Sequence, residues 1–172
     1  MGEKYKFDKK ANWKYLYKSL LITFLAHILT AFLILIYNSK TESASVLSIV
    51  FIAVISAWIL FFATPLIILY FNHRQKSKSV NFKVNNDKSY IYKTKSELIK
   101  FNNDNIEKIE LNLSPPKYDK RIDFLYFGMY HFTRIYTHED RVIDLSCLVF
   151  DKTEEVFPKE LIRKRKKIFP LL

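Results

Sequence analysis

The stretch LLITFLAHILTAFLILIY at Leu20–Tyr37 and the stretch VLSIVFIAVISAWILFFATPLIILYF at Val46–Phe71 flank an eight-residue polar connection, and neither contains Lys, Arg, Asp or Glu. An α-helix rises about 1.5 Å per residue, so runs of 18 and 26 residues reach about 27 and 39 Å, against a hydrocarbon core of about 30 Å. Each run is long enough to cross a bilayer. So short a connection predicts an antiparallel helical hairpin, 20–37 and 46–71, in the membrane.

The charge around the hairpin predicts its orientation. Residues 1–19 carry six lysines against Glu3 and Asp8, the connection 38–45 balances Lys40 with Glu42, and residues 72–79 add Arg74, Lys76 and Lys78. Positive charge outside both ends and none in excess between the runs places both termini in the cytoplasm. Trp13, Tyr15 and Tyr17 before the first run, and Tyr37, Tyr70 and Phe71 at run ends, read as headgroup-level anchors. A mean hydropathy near zero, −0.04, averages this apolar third with a Lys-rich remainder in a chain of net charge +11.

Other readings of the N-terminal region are weaker. The basic region and apolar core are both long for a cleaved signal peptide, although Ser43-Ala44-Ser45 supplies small residues where a cut would fall. N-myristoylation at Gly2 needs Ser or Thr at position 6, where this chain has Lys6. Cys147 is the sole cysteine, so the chain forms no internal disulfide. Pro65 predicts a tilt or a kink late in the second run. His27 is the one His, Asp, Glu, Lys or Arg inside the apolar runs. Without a charged partner it reads as a neutral imidazole bonded to a hydroxyl such as Thr23, Thr30, Ser48, Ser56 or Thr64, rather than as a proton relay.

After a polar linker, 72–79, the pattern changes to period two. Val80, Phe82 and Val84 alternate before Asn85-Asn86-Asp87-Lys88, and Ser89–Phe101 is strand-like up to Asn102-Asn103-Asp104-Asn105. Ile109, Leu111 and Leu113 alternate until Ser114-Pro115-Pro116. The aromatic run Ile122–Thr137, the turn His138–Arg141 and Val142–Phe150 predict a β-hairpin. From Pro158 the shared face of Leu161, Ile162, Ile168 and Phe169 predicts a C-terminal helix. The organisation expected is a basic cytoplasmic arm 1–19, the hairpin 20–71, the linker, and a cytoplasmic β domain 80–172 closed by that helix.

Glu97 through Phe101-Asn102-Asn103-Asp104-Asn105-Ile106-Glu107-Lys108-Ile109 resembles the segment of bacterial membrane-anchored PH-like (pleckstrin-homology-like) proteins in which a strand passes through an acidic turn into an I-x-x-I strand. The order of hairpin then β domain, the Arg141–Val149 strand and the closing Lys167-Ile168-Phe169-Pro170 are similar to that family. The resemblance covers about half the chain. It implies an α+β membrane protein with a small PH-like β-barrel or sheet domain, at a bacterial inner membrane, acting as a binding or scaffold module without catalytic residues. The chain departs from the family in its turns, since Gly128 is the domain's sole glycine.

The residues themselves argue against catalysis. Two glycines, Gly2 and Gly128, build neither a P-loop nor a dinucleotide turn. One cysteine, with His131 and His138 seven apart, lacks zinc-ligand spacing. Cys147 alternates with Ile143, Leu145 and Val149 as a core residue does. No cofactor or metal is expected.

Two binding features remain. Arg163, Lys164, Arg165, Lys166 and Lys167 form a basic run suited to anionic headgroups, each charge near such a surface contributing about 1 kcal/mol. In the aromatic run, Tyr126, Tyr130 and Tyr136 are candidates for a partner contact. The partners expected are an anionic lipid membrane and a protein, a second copy of this chain included; nucleic acid is not. The competing function is a small integral membrane subunit or immunity-type protein whose hairpin engages a partner within the bilayer.

Overall fold

The computed structural model describes residues 2–38, 44–123 and 128–172. The chain begins with a strand, β1 (Glu3–Lys6), and then enters the first long helix. Helix α1 starts as Lys9–Asn12, widens into a π turn at Trp13–Tyr17 and continues as Lys18–Asn38. Asp8 caps its start, its carboxylate accepting from the amides of Lys10 and Ala11 at 2.7 and 3.1 Å. Helix α2 runs Ala44–Trp58, passes a π turn at Ile59–Ala63 and ends as Thr64–Ser77. That second π turn ends two residues before Pro65, whose missing N–H removes one i→i−4 bond; the wider turn absorbs the fault that the sequence predicts as a tilt or kink.

The two helices pack as an antiparallel pair. Trp58 Nε1 donates to Thr23 Oγ1 at 3.1 Å, Phe24 meets Trp58 edge-on, and His27 lies 4.6 Å from the Phe62 ring. His27 Nδ1 is 2.8 Å from the Thr23 carbonyl oxygen, so its partner is backbone rather than the expected hydroxyl. Thr23 Oγ1 is committed elsewhere, donating to Ser19 O at 2.9 Å. The stretches Trp13–Ile36 and Ser48–Ser77 are long and apolar enough to cross a membrane by length and composition, and in each only 17% of an apolar 18-residue window is buried.

The remaining strands build two sheets. The first is β1, β2 (Asn81–Val84), β3 (Ser89–Lys93) and β4 (Leu98–Asn102), antiparallel in that order. The second is ordered β7 (Val142–Ser146), β6 (His131–Thr137), β5 (Ile106–Leu113) and β8 (Ile162–Lys166), with β8 parallel to β5. Short helices α3 (Pro115–Tyr118) and α4 (Thr153–Val156) complete the order. The turn residues expected between strands are where the chain bends. Ser89 N donates to Asp87 Oδ1, Lys88 takes φ 58°, and Asn102 and Asn105 form a reciprocal capping box.

One core fills the space between the sheets. Phe82, Tyr90, Ile109, Ile135, Ile143, Leu145 and Phe150 are its most deeply buried members. A second cluster joins the helices to the domain: Tyr15, Leu16, Leu66, Leu69 and Tyr70 pack against Tyr130, Cys147 and Leu148.

Two expectations need correction. The segment expected as a C-terminal helix is instead a 3₁₀ turn, Lys159–Leu161, followed by strand β8. A helix there would leave the free edge of β5 unpaired; β8 satisfies it, seating Ile162 against the core and extending the ladder through Lys167 N to Leu113 O at 2.8 Å. The segment expected as a basic arm supplies β1 as well as the start of α1. Tyr5 sits opposite Phe82 and meets the Phe150 ring edge-on at 5.0 Å, so this strand belongs to the β domain although the hairpin separates it from β2.

Candidate binding surface

The five residues of the expected basic contact lie on β8 and just after it, at the open edge of the second sheet. Strand alternation splits them. Lys164 and Lys166 lie on the side of Ile162, and Arg163, Arg165 and Lys167 on the other. Three are already matched within the chain: Lys164 with Glu154 at 2.6 Å, Arg165 with Glu110 at 3.4 Å, Lys166 with Asp119 at 2.7 Å. Among the described residues Arg163 and Lys167 have no carboxylate partner. The run is therefore less cationic in the fold than in the sequence, and lysines along an exposed edge also discourage strand addition.

A different surface concentrates unmatched charge. On the outer face of the first sheet, Lys4, Lys83, Ile91 and Lys100 stand in one cross-strand row, and Lys6, Asn81, Lys93 and Leu98 in a neighbouring one. The inward residues between them, Tyr5, Phe82, Tyr92 and Ile99, face the core. Five lysines thus share a face on which the strands place no acidic residue, and among the described residues none of the five makes an ion pair. Lys4 and Lys83 are direct partners across the ladder, an arrangement that disfavours folding and favours an anionic ligand. The sequence carried part of this signal, since each lysine sits beside a core aromatic or aliphatic residue. The register that gathers positions 4, 83 and 100 did not follow from it.

The three tyrosines separate. Tyr130 is fully buried, its hydroxyl donating to the Tyr15 carbonyl, and it belongs to the joint between helices and sheet rather than to a partner surface. Tyr136 is on the outer face of the second sheet, under Lys108 Nζ at 4.4 Å and with its hydroxyl 3.4 Å from Glu110. Beside it Arg134 and Asp144 make a two-point ion pair at 2.7 and 2.9 Å, which raises the guanidinium's already high pKa. Tyr126 lies outside the described residues.

The joint is polar at its centre. His73, buried near the end of α2, has Nδ1 2.9 Å from Ser146 Oγ and Nε2 2.8 Å from the Pro170 carbonyl. Asn72 Oδ1 accepts from Leu172 N at 2.8 Å, so the C-terminal residues are bound to the same helix. Cys147 Sγ is 3.9 Å from His73 Nδ1, yet burial pushes its thiol up to about 11, the reverse of an activated nucleophile. Nearby, His131 is buried with Lys117 Nζ 2.9 Å and the Met129 carbonyl 3.0 Å from Nδ1. Burial first, and the Lys117 charge second, lower its imidazole to about 3, and burial likewise lowers the Lys117 ammonium. Among the described residues no three His, Cys, Asp or Glu side chains are grouped to hold a metal ion.

Two sheets enclose one core, and the first of them presents a lysine-rich outer face. The chain belongs to the PH domain family, whose model matches residues 4–155 and so includes most of β1 and both long helices. No curated protein and no solved structure matches the chain. PH domains are characteristically non-enzymatic binding modules with lipid or protein ligands.

Proposed function

We infer that this chain is a membrane-anchored, non-enzymatic binding or scaffold protein that presents its PH domain at the cytoplasmic surface of a bacterial inner membrane. The pairing of β1 with β2 carries the reading. It brings the outer ends of both long helices into one sheet, so any crossing must go out and return, leaving both termini on one side. The apolar length of the helices, their small buried share and the basic residues at both outer ends support a bilayer as the medium around them. The ligand is anionic, engaged by the lysine face of the first sheet, with Arg163 and Lys167 on the β8 edge adding to the attraction for headgroups.

The test is topological. In a Cys147→Ala background, a cysteine placed in the 38–45 connection should react with a membrane-impermeant maleimide in intact cells. One replacing the exposed Val142 should react only after lysis. Labelling of both in intact cells, or of neither, overturns the reading.

A further inference from the structure

Among the described residues, large apolar side chains left exposed on the β domain are not spread over it. Five of them, Leu98, Tyr118, Ile122, Ile168 and Leu171, lie at the end from which the long helices leave, and Val142 lies at the other. Each placement follows from pairing. Leu98 stands in the row of Lys93, Asn81 and Lys6, the row nearest to where β1 feeds α1 and α2 feeds β2. Tyr118 and Ile122 follow the end of β5, where Leu113 is paired with His131 and Tyr130 reaches the Tyr15 carbonyl. Ile168 and Leu171 flank Pro170, whose carbonyl meets His73, and Leu172 is bonded to Asn72, the residue after the apolar run ends. Ile168 and Ile122 are 85% and 75% exposed, far beyond what a folded core leaves by accident at one end.

Cations accompany them. Lys93 is the cross-strand partner of Leu98, Arg121 neighbours Ile122 along the chain, and Lys167 neighbours Ile168. On α1, Trp13 and Tyr17 are exposed just before the apolar run. Apolar side chains interleaved with Lys and Arg, ringed at the base of a membrane hairpin, have the chemistry of the headgroup–acyl boundary.

We propose that this rim docks on the bilayer that holds the hairpin, with Leu98, Ile122 and Ile168 inserted below the headgroups and the neighbouring cations at phosphate level. The proposal rests on the membrane reading above. The domain is then held flush against the membrane in a fixed orientation, rather than swinging on a linker, and the lysine face of the first sheet stands at a set height.

The experiment uses the full chain in vesicles of phosphatidylcholine and phosphatidylglycerol. Single cysteines introduced as Leu98→Cys, Ile122→Cys, Ile168→Cys, Val142→Cys and Phe32→Cys, in the Cys147→Ala background, carry an environment-sensitive fluorophore. Emission at Leu98, Ile122 and Ile168 should shift to the blue and lose intensity when lipid-borne quencher is included, as at Phe32, while Val142 stays aqueous. Water-like emission at the three rim positions with quenching at Phe32 overturns rim docking and leaves the spanning hairpin standing. Water-like emission at Phe32 as well overturns the membrane reading and this proposal with it.

Discussion

His131 shows how a single buried group sets a pH window. An unfolded imidazole titrates near 6.5, while in the fold burial and Lys117 hold it at about 3. The folded state therefore binds fewer protons than the unfolded one between those values, so its stability is complete above about 6.5 and falls as pH drops toward 3. The loss attributable to His131 between pH 7 and pH 5 is about 2 kcal/mol. His131→Gln, which keeps an acceptor for Lys117 without a titrating ring, should give a flatter dependence of the denaturant midpoint on pH. An unchanged slope would show that the imidazole takes up its proton as readily in the fold as in the unfolded chain. Cys147 illustrates the converse: beside a histidine it has the look of a catalytic pair in outline, but a thiol pushed up to about 11 supplies little thiolate at neutral pH.

At the scale of elements, the first sheet carries a cost that a purely structural surface would not keep. Lys4 and Lys83 face each other across β1 and β2, and the strands place no acid on that face; the nearby carboxylate acting on Lys83 is Asp87 in the following turn. Lys83→Glu should stabilise the fold by a few tenths to about 1 kcal/mol, by turning a like-charge cross-strand pair into an opposite one, while weakening retention on an anionic matrix. Thermal melts and binding measured on the same variant check the two opposed signs. The C-terminal residues are a second element with a defined task. Deleting residues 168–172 removes the carbonyl that meets His73 Nε2 and the Leu172 groups bonded to Asn72. A buried donor or acceptor without its partner costs about 1–3 kcal/mol, so the truncated chain should unfold at correspondingly lower denaturant and be cut faster by protease near the end of α2. The period-two runs around Phe82, Tyr90, Ile109 and Ile143 made most strands legible, and Asn-rich turns marked their ends. What stayed hidden was non-local. Four residues with one apolar side chain, Tyr5, carry no period for β1, and Ile162-Arg163-Lys164-Arg165-Lys166 reads as easily helical until β5 offers an edge. The same blindness to register made the contiguous run 163–167 look like the strongest cationic feature, when carboxylates from three other places in the chain neutralise most of it and scattered lysines gather elsewhere.

For the whole molecule, the consequence is that hairpin and β domain are not separable at residue 80. The family model already spans both, from residue 4 to residue 155. The second apolar cluster takes Ala11, Tyr15 and Leu16 from α1 and Leu66, Leu69 and Tyr70 from α2. A fragment 80–172 would lack β1 and expose Tyr130, Cys147 and Leu148, so it should fail to give a cooperative unfolding transition and should aggregate. The helices divide differently from the domains expected on sequence grounds: their outer parts lie largely outside both cores, and their bases are built into one. Replacing residues 20–62 by an unrelated two-span segment, with Ala11–Ser19 and Ala63–Ser77 retained, should preserve the native near-UV circular dichroism of the β domain. Replacing 9–77 should abolish it. The retained graft also separates the two functional classes. If it keeps the wild-type cellular activity, the β domain and the helix bases are the working part. Loss of that activity in a graft that remains folded and inserted would move the function into the outer helices, where Thr23, His27, Trp58 and Phe62 meet.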